Sequence, residues 1–262
     1  MKVLRKSVAI SLLISIFSCA AIGATLAQVV AEDPNGATIT RGGSNLNLQP
    51  GNILQEGDVI KSNAATVVIS ICDGALVTLY PKSELAVVSL SADVATVNLM
   101  KGELLGDTIT GCAISVDNKV GRADISNGVY GVLLNETGEG WTLQVRNLDG
   151  KVTFTGGEKL DTSNMTVSLV EPGKSLPIPA GEEIIVRGIY DRSTEIFTLV
   201  TGGAAIAMLP DSTIGTMRDD ASTMASIGRD DEDDDDDGED PDPDEVFIPI
   251  PLEDIETASD KG

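Results

Sequence analysis

The sequence predicts an all-β fold, and three observations support this. Apolar and polar residues alternate over short runs, glycine-containing turn pairs separate these runs, and no long helical period appears between Gln28 and Thr201. The turn pairs are Pro50-Gly51, Asp73-Gly74, Lys101-Gly102, Asn127-Gly128, Asp149-Gly150, Gly156-Gly157, Pro172-Gly173 and Ala180-Gly181. The spacing is typical of a sandwich, a barrel or a short β-solenoid. Short similar units such as VVISICDG and ATVNLMKG favour the solenoid slightly, although they lack a fixed period.

The N-terminus has the pattern of a secretory signal peptide. A basic start, Lys2 to Lys6, precedes an apolar run from Val8 to Phe17, and small residues ending in Ala27 follow. We therefore predict a signal peptide over residues 1–27 and an exported protein that is periplasmic, secreted or at the cell surface. Two alternatives stay open. The mainly apolar run approaches the length of a membrane anchor, about 20 residues, and Cys19 offers a site for lipid attachment.

A β-hairpin is predicted over residues 67–80. β-Branched residues alternate with others on both sides of Asp73-Gly74. An Asp-Gly pair is the strongest short-range signal for a two-residue turn, and such a turn would place Ile71 opposite Leu76. The other face of this arrangement is apolar too, so we expect both faces to be covered. The residues on that second face are Val68, Val77 and Leu79.

Two cysteines, Cys72 and Cys112, remain after removal of the leader. Disulfides persist outside the cytoplasm, whereas free buried cysteines act as small apolar side chains. A bridge requires Cα atoms within about 7 Å of each other, which sequence spacing does not determine. The sequence is therefore compatible with a disulfide and with two buried thiols.

The net charge of −23 is concentrated at the C-terminus, where residues 219–262 carry 19 acidic and two basic side chains, a net of −17. A run of like charge repels itself and buries no apolar surface. We therefore predict one β domain over residues 28–201, followed by a linker and a disordered acidic tail over residues 202–262. Basic residues do not cluster outside the leader, which argues against nucleic acid and anionic membrane surfaces as partners.

Four carboxylates of the tail match the spacing of a calcium loop: Asp233, Asp235, Asp237 and Asp244. Any long Asp run reproduces this spacing, and Pro241 and Pro243 interrupt the loop. The alternatives are a solvated tail and diffuse, low-affinity collection of divalent cations. Apart from such calcium binding, no cofactor is expected.

The hairpin region resembles the core of the FecR domain, a β-rich extracytoplasmic module. The strings GDVI and LYPKSEL carry the resemblance, which continues more faintly through NLMKGEL and LDGKVT and covers less than half of the chain. The family usually has a Gly-Thr step where this chain has Gly128-Val129. The resemblance implies a FecR-like β domain whose motif residues set turns and strand ends. These residues are Gly57, Asp58, Asp73, Gly74, Pro81, Ser83 and Glu84.

The sequence argues against an enzyme. It contains no histidine, which removes the usual general base and the common triads and zinc sites. The remaining acid/base candidates are Glu182 with Glu183 and Asp117 with Asp124, although such carboxylates usually form solvated faces. Trp141 is the single tryptophan, and aromatic residues are too few for an extended stacking platform.

We therefore expect a non-enzymatic extracytoplasmic module of the FecR type. In the family's regulators, this module passes a message from an outer-membrane receptor to a cytoplasmic sigma-factor-binding segment. Only Met1 to Lys6 precede the apolar leader, so we expect no such output here. The expected partner is an unidentified protein or cell-envelope component, bound through sheet edges or turns. The alternative is a structural or surface protein whose acidic tail binds divalent cations such as calcium.

Overall fold

The computed structural model of the protein describes residues 27–32, 36–72, 74–109, 111–137, 140–165 and 168–227. The chain divides into two units, residues 1–229 and residues 230–262. Several sequence predictions fall outside the described residues: the signal peptide before Ala27, lipid attachment at Cys19, the disordered acidic tail from residue 228, and the motif residue Asp73.

The prediction of an all-β fold is confirmed. The described residues form 17 strands and one helix. They are β1 (Ala27–Glu32), β2 (Ala37–Arg41), β3 (Ser44–Asn47), β4 (Val59–Ser62), β5 (Val67–Ile71), β6 (Ala75–Leu79), β7 (Ser83–Leu90), β8 (Val94–Asp107), β9 (Ala113–Asp117), β10 (Gly121–Asn127), β11 (Val129–Thr137), β12 (Gly140–Asn147), β13 (Lys151–Gly156), β14 (Leu160–Asp161), β15 (Ser175–Ile178), β16 (Glu182–Asp191), β17 (Ile196–Met208) and α1 (Asp211–Ile227).

The strands form two sheets that share β8. Sheet A has the order β1-β5-β6-β8-β11-β12-β16-β17-β14, and sheet B has the order β3-β2-β4-β7-β8-β9-β10-β13-β15. Residues 94–101 of β8 pair in sheet B, and residues 102–107 pair in sheet A. The described pairings are antiparallel except for β8 with β9 and β14 with β17.

One apolar core lies between the two sheets. Alternate residues of each strand point into it, because successive side chains of a strand lie on opposite faces. Tyr130, Phe154 and Phe197 are the largest fully buried side chains. The arrangement is a β-sandwich, one of the three architectures compatible with the sequence. The chain crosses repeatedly between the sheets, so successive hairpins cover opposite sides of the same core.

The β5–β6 hairpin forms, but its predicted register was wrong by one residue. Ile71 pairs with Ala75, not with Leu76, so the loop contains three residues instead of two. A shift of one residue moves every side chain of β6 to the opposite face. Val77 and Leu79 therefore join the core between the sheets. Both faces are covered, as expected, because Leu76 is buried on the outer side of sheet A.

The additional loop residue, Cys72, forms a disulfide with Cys112. The two Cα atoms lie 5.5 Å apart, within the usual range for a bridge. Cys72 occupies the loop with a φ of 50°. The bridge ties the β5–β6 loop of sheet A to the residue that precedes β9 of sheet B. Of the two states that the sequence left open, the structure has the disulfide.

Gly74→Val is expected to destabilise the protein by about 1–3 kcal/mol. Gly74 has a φ of 146°, which residues with a Cβ rarely adopt, and strain of this kind costs about that much. Urea unfolding of the full chain measures the effect. Gly215→Ala is the control, because Gly215 lies in α1 with open space around its Cα. An unchanged midpoint for Gly74→Val would show that the loop tolerates a β-branched residue.

Helix α1 covers the outer face of sheet A. Its buried residues Met217, Ala221 and Met224 contact an apolar cluster on the sheet. That cluster contains Val68, Leu76, Leu105, Val129 and Leu148. The helix begins directly after Pro210, and Asp211 in its first turn suits the positive end of the helix dipole. Packing on the sheet therefore stabilises a segment that the sequence predicted as linker.

The predicted domain boundary at residue 201 was wrong, because β17 continues to Met208 and α1 follows to Ile227. The glycine pair at residues 202 and 203 does not end the strand. It lies in a bulge within β17. Val186 pairs with Ala204 and Gly188 pairs with Leu199, so residues 200–203 stand opposite Arg187 alone. Gly202 has a φ of 69° within this bulge, which is typical of glycine at such positions.

Candidate functional site

The motif residue Asp58 closes a loop inside the protein. Its carboxylate is 1% exposed and accepts hydrogen bonds from Arg41 Nε at 2.8 Å and Arg41 Nη2 at 2.6 Å. It also accepts a bond from the backbone N–H of Gln55 at 2.7 Å. Gly57, with a φ of 89°, donates its N–H to the carbonyl of Val87. These contacts fix the loop before β4 against β7.

The motif residues Pro81, Ser83 and Glu84 lie where β6 turns into β7. The Ser83 hydroxyl accepts a bond from the Glu103 N–H at 2.8 Å and donates to the Glu103 carbonyl at 3.1 Å. A Cβ at Gly102 would lie 2.2 Å from Ser83 Oγ, so glycine is required for this close approach. Glu84 lies 3.3 Å from Lys61 Nζ. Like Gly74, these residues shape turns and strand ends.

The acid/base candidates are not brought together as catalytic pairs. Asp117 forms two hydrogen bonds with Arg122, and Asp124 accepts one from Ser115 at 2.7 Å. Glu182 and Glu183 are adjacent in β16 and so point to opposite faces of the sheet. Asp117 and Asp124 thus each bond to a residue of the neighbouring strand.

A polar cluster lies between sheet A and α1. Arg146 donates to Glu103 Oε1 at 2.7 Å, to Gln144 Oε1 at 2.6 Å and to Glu183 Oε2 at 3.4 Å. Two members of this cluster, Arg146 and Glu103, line a cavity of about 220 Å³. Tyr80 and residues of α1 line it as well. Because the guanidinium is already held by three side chains, this cavity offers few free charged groups to a ligand.

Tyr80 and Asp220 connect this cluster to the helix. The Tyr80 hydroxyl donates a hydrogen bond to Asp220 Oδ2 of α1. Burial, followed by this hydrogen bond, raises the pKa of Tyr80 above its ordinary value, because both effects disfavour the phenolate. The contact fixes α1 on sheet A in addition to the apolar packing. Sequence analysis missed it, because the two residues are 140 positions apart.

The edge of β17 is the candidate interaction surface. Among the described residues, β17 pairs with β16 on one side and with β14 only at Phe197 and Thr198 on the other. Residues 200–208 have the sequence VTGGAAIAM, without a charge or a proline. Met208 is 71% exposed. Natural sheets usually protect such edges with charges, prolines, short strands or bulges. This stretch lacks charges and prolines, and beyond its bulge at residues 200–203 it leaves residues 204–208 as a regular edge.

The other edge strands of the described part differ from β17. β3 has four residues, all exposed and mostly polar, Ser44–Asn47. β15 has four residues and contains Pro177, and β14 has only two residues. β1, the outer strand at the other end of sheet A, is covered along its free side by residues 51–54, which form backbone hydrogen bonds with Ala27 and Val29. Short length, polarity and proline are the usual devices that prevent pairing. β17 therefore stands out as an edge suited to accept another strand.

Neither a membrane helix nor a metal centre is found in the described part of the chain. No helix there is long and apolar enough to cross a bilayer. No group of three or more His, Cys, Asp or Glu side chains is arranged there to hold a metal ion. The four carboxylates of the calcium hypothesis lie outside this part: Asp233, Asp235, Asp237 and Asp244.

Comparison with known proteins gives distant structural similarities. No family model and no curated protein match the chain. Two crystal structures of a proposed anti-sigma factor from Parabacteroides distasonis align with a TM-score of 0.42, at 16% and 15% identity. The alignment covers 60% of this chain, which spans 62% of the length of that one. A similarity of this size establishes neither a shared function nor a detailed shared fold.

Proposed function

We propose that the protein is a non-enzymatic, exported FecR-like module that binds a protein of the cell envelope by strand addition at β17. The observation that carries this proposal is the outer side of residues 200–208. This side carries no charge and has no strand partner among the described residues. In strand addition, main-chain hydrogen bonds supply affinity, and the side chains of alternate residues supply specificity. An extended segment of the partner would thus continue sheet A beyond β17.

The edge is also rigid before any partner binds. β17 pairs with β16 over both of its halves, and Leu209 directly after it is buried. Pro210 and α1 then anchor its C-terminal end to the outer face of sheet A. A preformed edge lowers the entropy cost of association, because only the partner's segment becomes ordered.

A non-enzymatic role is supported by the state of the charged side chains. Asp58, Asp117, Glu103 and Glu183 each engage an arginine. Carboxylates held in such ion pairs are more typical of structural contacts than of general acids or bases. The absence of histidine from the sequence removes the residue most often used as a general base.

Ala205→Lys is expected to abolish partner binding without unfolding the protein. Ala205 is an exposed residue of β17, and a lysine on an edge strand opposes pairing with another strand. The direct measurement is photo-crosslinking in cells from position 205, followed by identification of the product. We expect one stoichiometric partner from position 205, and co-purification of that partner with the chain should be lost in Ala205→Lys. Stability is expected to change by about 0.5 kcal/mol or less.

Position 44 is the matched control for this experiment. Ser44 lies on β3, the polar edge of sheet B, and is exposed. A crosslinker at position 44 should not capture the partner, and Ser44→Lys should leave co-purification of the partner unchanged. Equal crosslinking from both positions, or a crosslink from position 205 only to the chain itself, would contradict strand addition at β17.

The charge of −17 over residues 219–262 supports the alternative, a surface protein whose tail binds divalent cations. The same cells distinguish the two functions. Envelope association that requires calcium and persists in Ala205→Lys would favour the alternative. Association that survives removal of calcium and is lost in Ala205→Lys would favour the binding module.

A further inference from the structure

Lys119 lies between two aromatic rings. Its Nζ is 3.0 Å from the centroid of the Trp141 ring and 4.8 Å from that of Tyr190. Lys119 belongs to the turn between β9 and β10, whereas the rings come from the start of β12 and the end of β16. Both distances lie within the range of cation–π attraction, which favours the charged ammonium.

The Lys119 ammonium forms no salt bridge among the described residues, although other cations nearby do. The charge of Glu136 favours the ammonium and that of Arg192 opposes it. Lys159 pairs with Glu195, and Arg192 pairs with Glu136 at 3.4 Å. Burial lowers the pKa of Lys119 to about 8, because a desolvated ammonium is less stable than a hydrated one. Near neutral pH the amine is therefore mostly charged, and an anion from a ligand would stabilise it.

A groove of about 570 Å³ adjoins this lysine, a size typical of small-molecule sites. Tyr190, Asn98, Asn118 and Glu158 are among the residues that line it. Asn118 Oδ1 accepts bonds from the N–H groups of Val120 and Gly121. This fixes the orientation of the amide, and Asn118 Nδ2 is left buried without an acceptor. Because this atom is closed to solvent, the donor that the groove offers to a ligand is the Lys119 ammonium.

We propose that this groove binds an acidic saccharide, with the sugar carboxylate on Lys119 and the sugar ring against Tyr190. A carboxylate supplies an anion for the ammonium, and a charge-assisted hydrogen bond of this kind is stronger than a neutral one. Glu158 and Asn98 offer further hydrogen-bond partners to hydroxyl groups. The apolar face of a sugar ring suits an aromatic side chain, which requires far fewer rings than the extended platform that the composition argues against.

Other ligand classes fit this groove less well. A neutral saccharide would leave the ammonium unpaired. A nucleic acid needs several clustered cations, and the neighbouring Lys159 and Arg192 already pair with carboxylates. A purely apolar ligand would leave the Lys119 ammonium without an acceptor, at a cost in affinity.

Trp141 fluorescence tests the proposal in the intact protein, because it is the single tryptophan of the chain and contacts Lys119 directly. Titration with trigalacturonate should give a saturable change. Maltotriose, which is neutral, and citrate, which is a carboxylate without a sugar ring, should each bind at least tenfold more weakly. No saturable change with trigalacturonate, or equal affinity for either comparison ligand, would overturn the proposal.

Lys119→Met tests the role of the charge. Methionine keeps an unbranched chain against Trp141 while it removes the ammonium. Calorimetry, which does not depend on tryptophan emission, should show at least tenfold weaker binding of trigalacturonate. Lys174→Met is the matched control, since Lys174 is exposed and pairs with Glu171 away from the groove lining. Binding by Lys119→Met equal to that of the control would contradict the assignment.

This ligand site is independent of the partner edge on β17. Ala205→Lys should bind trigalacturonate as the unmodified protein does, and Lys119→Met should keep its crosslink from position 205. A loss of saccharide binding in Ala205→Lys would contradict the separation of the two sites.

Discussion

Asp58→Ala is expected to lower the free energy of unfolding by about 3 kcal/mol. The carboxylate is 1% exposed and holds both Arg41 and the backbone of Gln55. Removal of one partner of a buried ion pair costs about 3–5 kcal/mol, and the lower end applies because the Arg41 side chain is 36% exposed and keeps contact with water. Urea unfolding, read by circular dichroism, measures the change.

Glu195→Gln is the control for this prediction. The Lys159–Glu195 pair is solvent-exposed on both sides, at 60% and 62%, and exposed pairs contribute little to stability. Arg41→Met removes the other member of the buried pair and should also destabilise the protein. If Asp58→Ala unfolded at the same urea concentration as Glu195→Gln, the loop before β4 would not depend on this carboxylate.

Loss of the Cys72–Cys112 disulfide is expected to cost about 4 kcal/mol. The bridge closes a loop with a sequence separation of 40 residues. The chain-entropy model gives about 3 kcal/mol for a 15-residue loop and about 4.7 kcal/mol for a 100-residue loop, so this bridge falls between them. The comparison is between oxidised and reduced protein, and with the double variant in which both cysteines are alanine.

The single variants separate loss of the bridge from loss of packing. Cys72→Ala and Cys112→Ala each remove the whole disulfide, so each should destabilise almost as much as the double variant. Both side chains are buried, at 8% and 5% exposure, so small packing losses are included. Equal unfolding midpoints for oxidised and reduced protein would show that the bridge adds no stability.

The strands were predictable from sequence, but their register was not. The alternation in β5 and β6 identifies two strands, and Asp73-Gly74 identifies the turn. The third loop residue, Cys72, is bonded to Cys112, 40 positions away and directly before β9 of sheet B. A local pattern contains no information about that distant partner.

Helix α1 and the end of β17 show the same limit. The helix is rich in Ser, Thr and Asp, which are mediocre helix formers, and a 17-residue helix of this composition is marginal in isolation. Its stability comes from Met217, Ala221 and Met224 on the outer face of sheet A. Sequence analysis therefore predicted a linker where tertiary packing produces a helix.

For the candidate sites, sequence identified single residues and missed their combinations. Asp58 and Ser83 were predicted at turns and strand ends, where the structure places them. Trp141 was considered alone, as the single tryptophan of the chain. Lys119 and Tyr190 reach it only because β12 pairs with β16 and the β9–β10 turn lies beside them.

The sequence by itself determined the all-β class, the hairpin positions, the charge distribution and the absence of charge along residues 200–208. These properties depend on residues that are close together in the sequence, so local patterns are enough to predict them. The tertiary structure decided the strand register, the disulfide, the helix on sheet A and the cation between two rings. Each of these joins residues far apart in sequence, and their proximity follows from packing two sheets around one core.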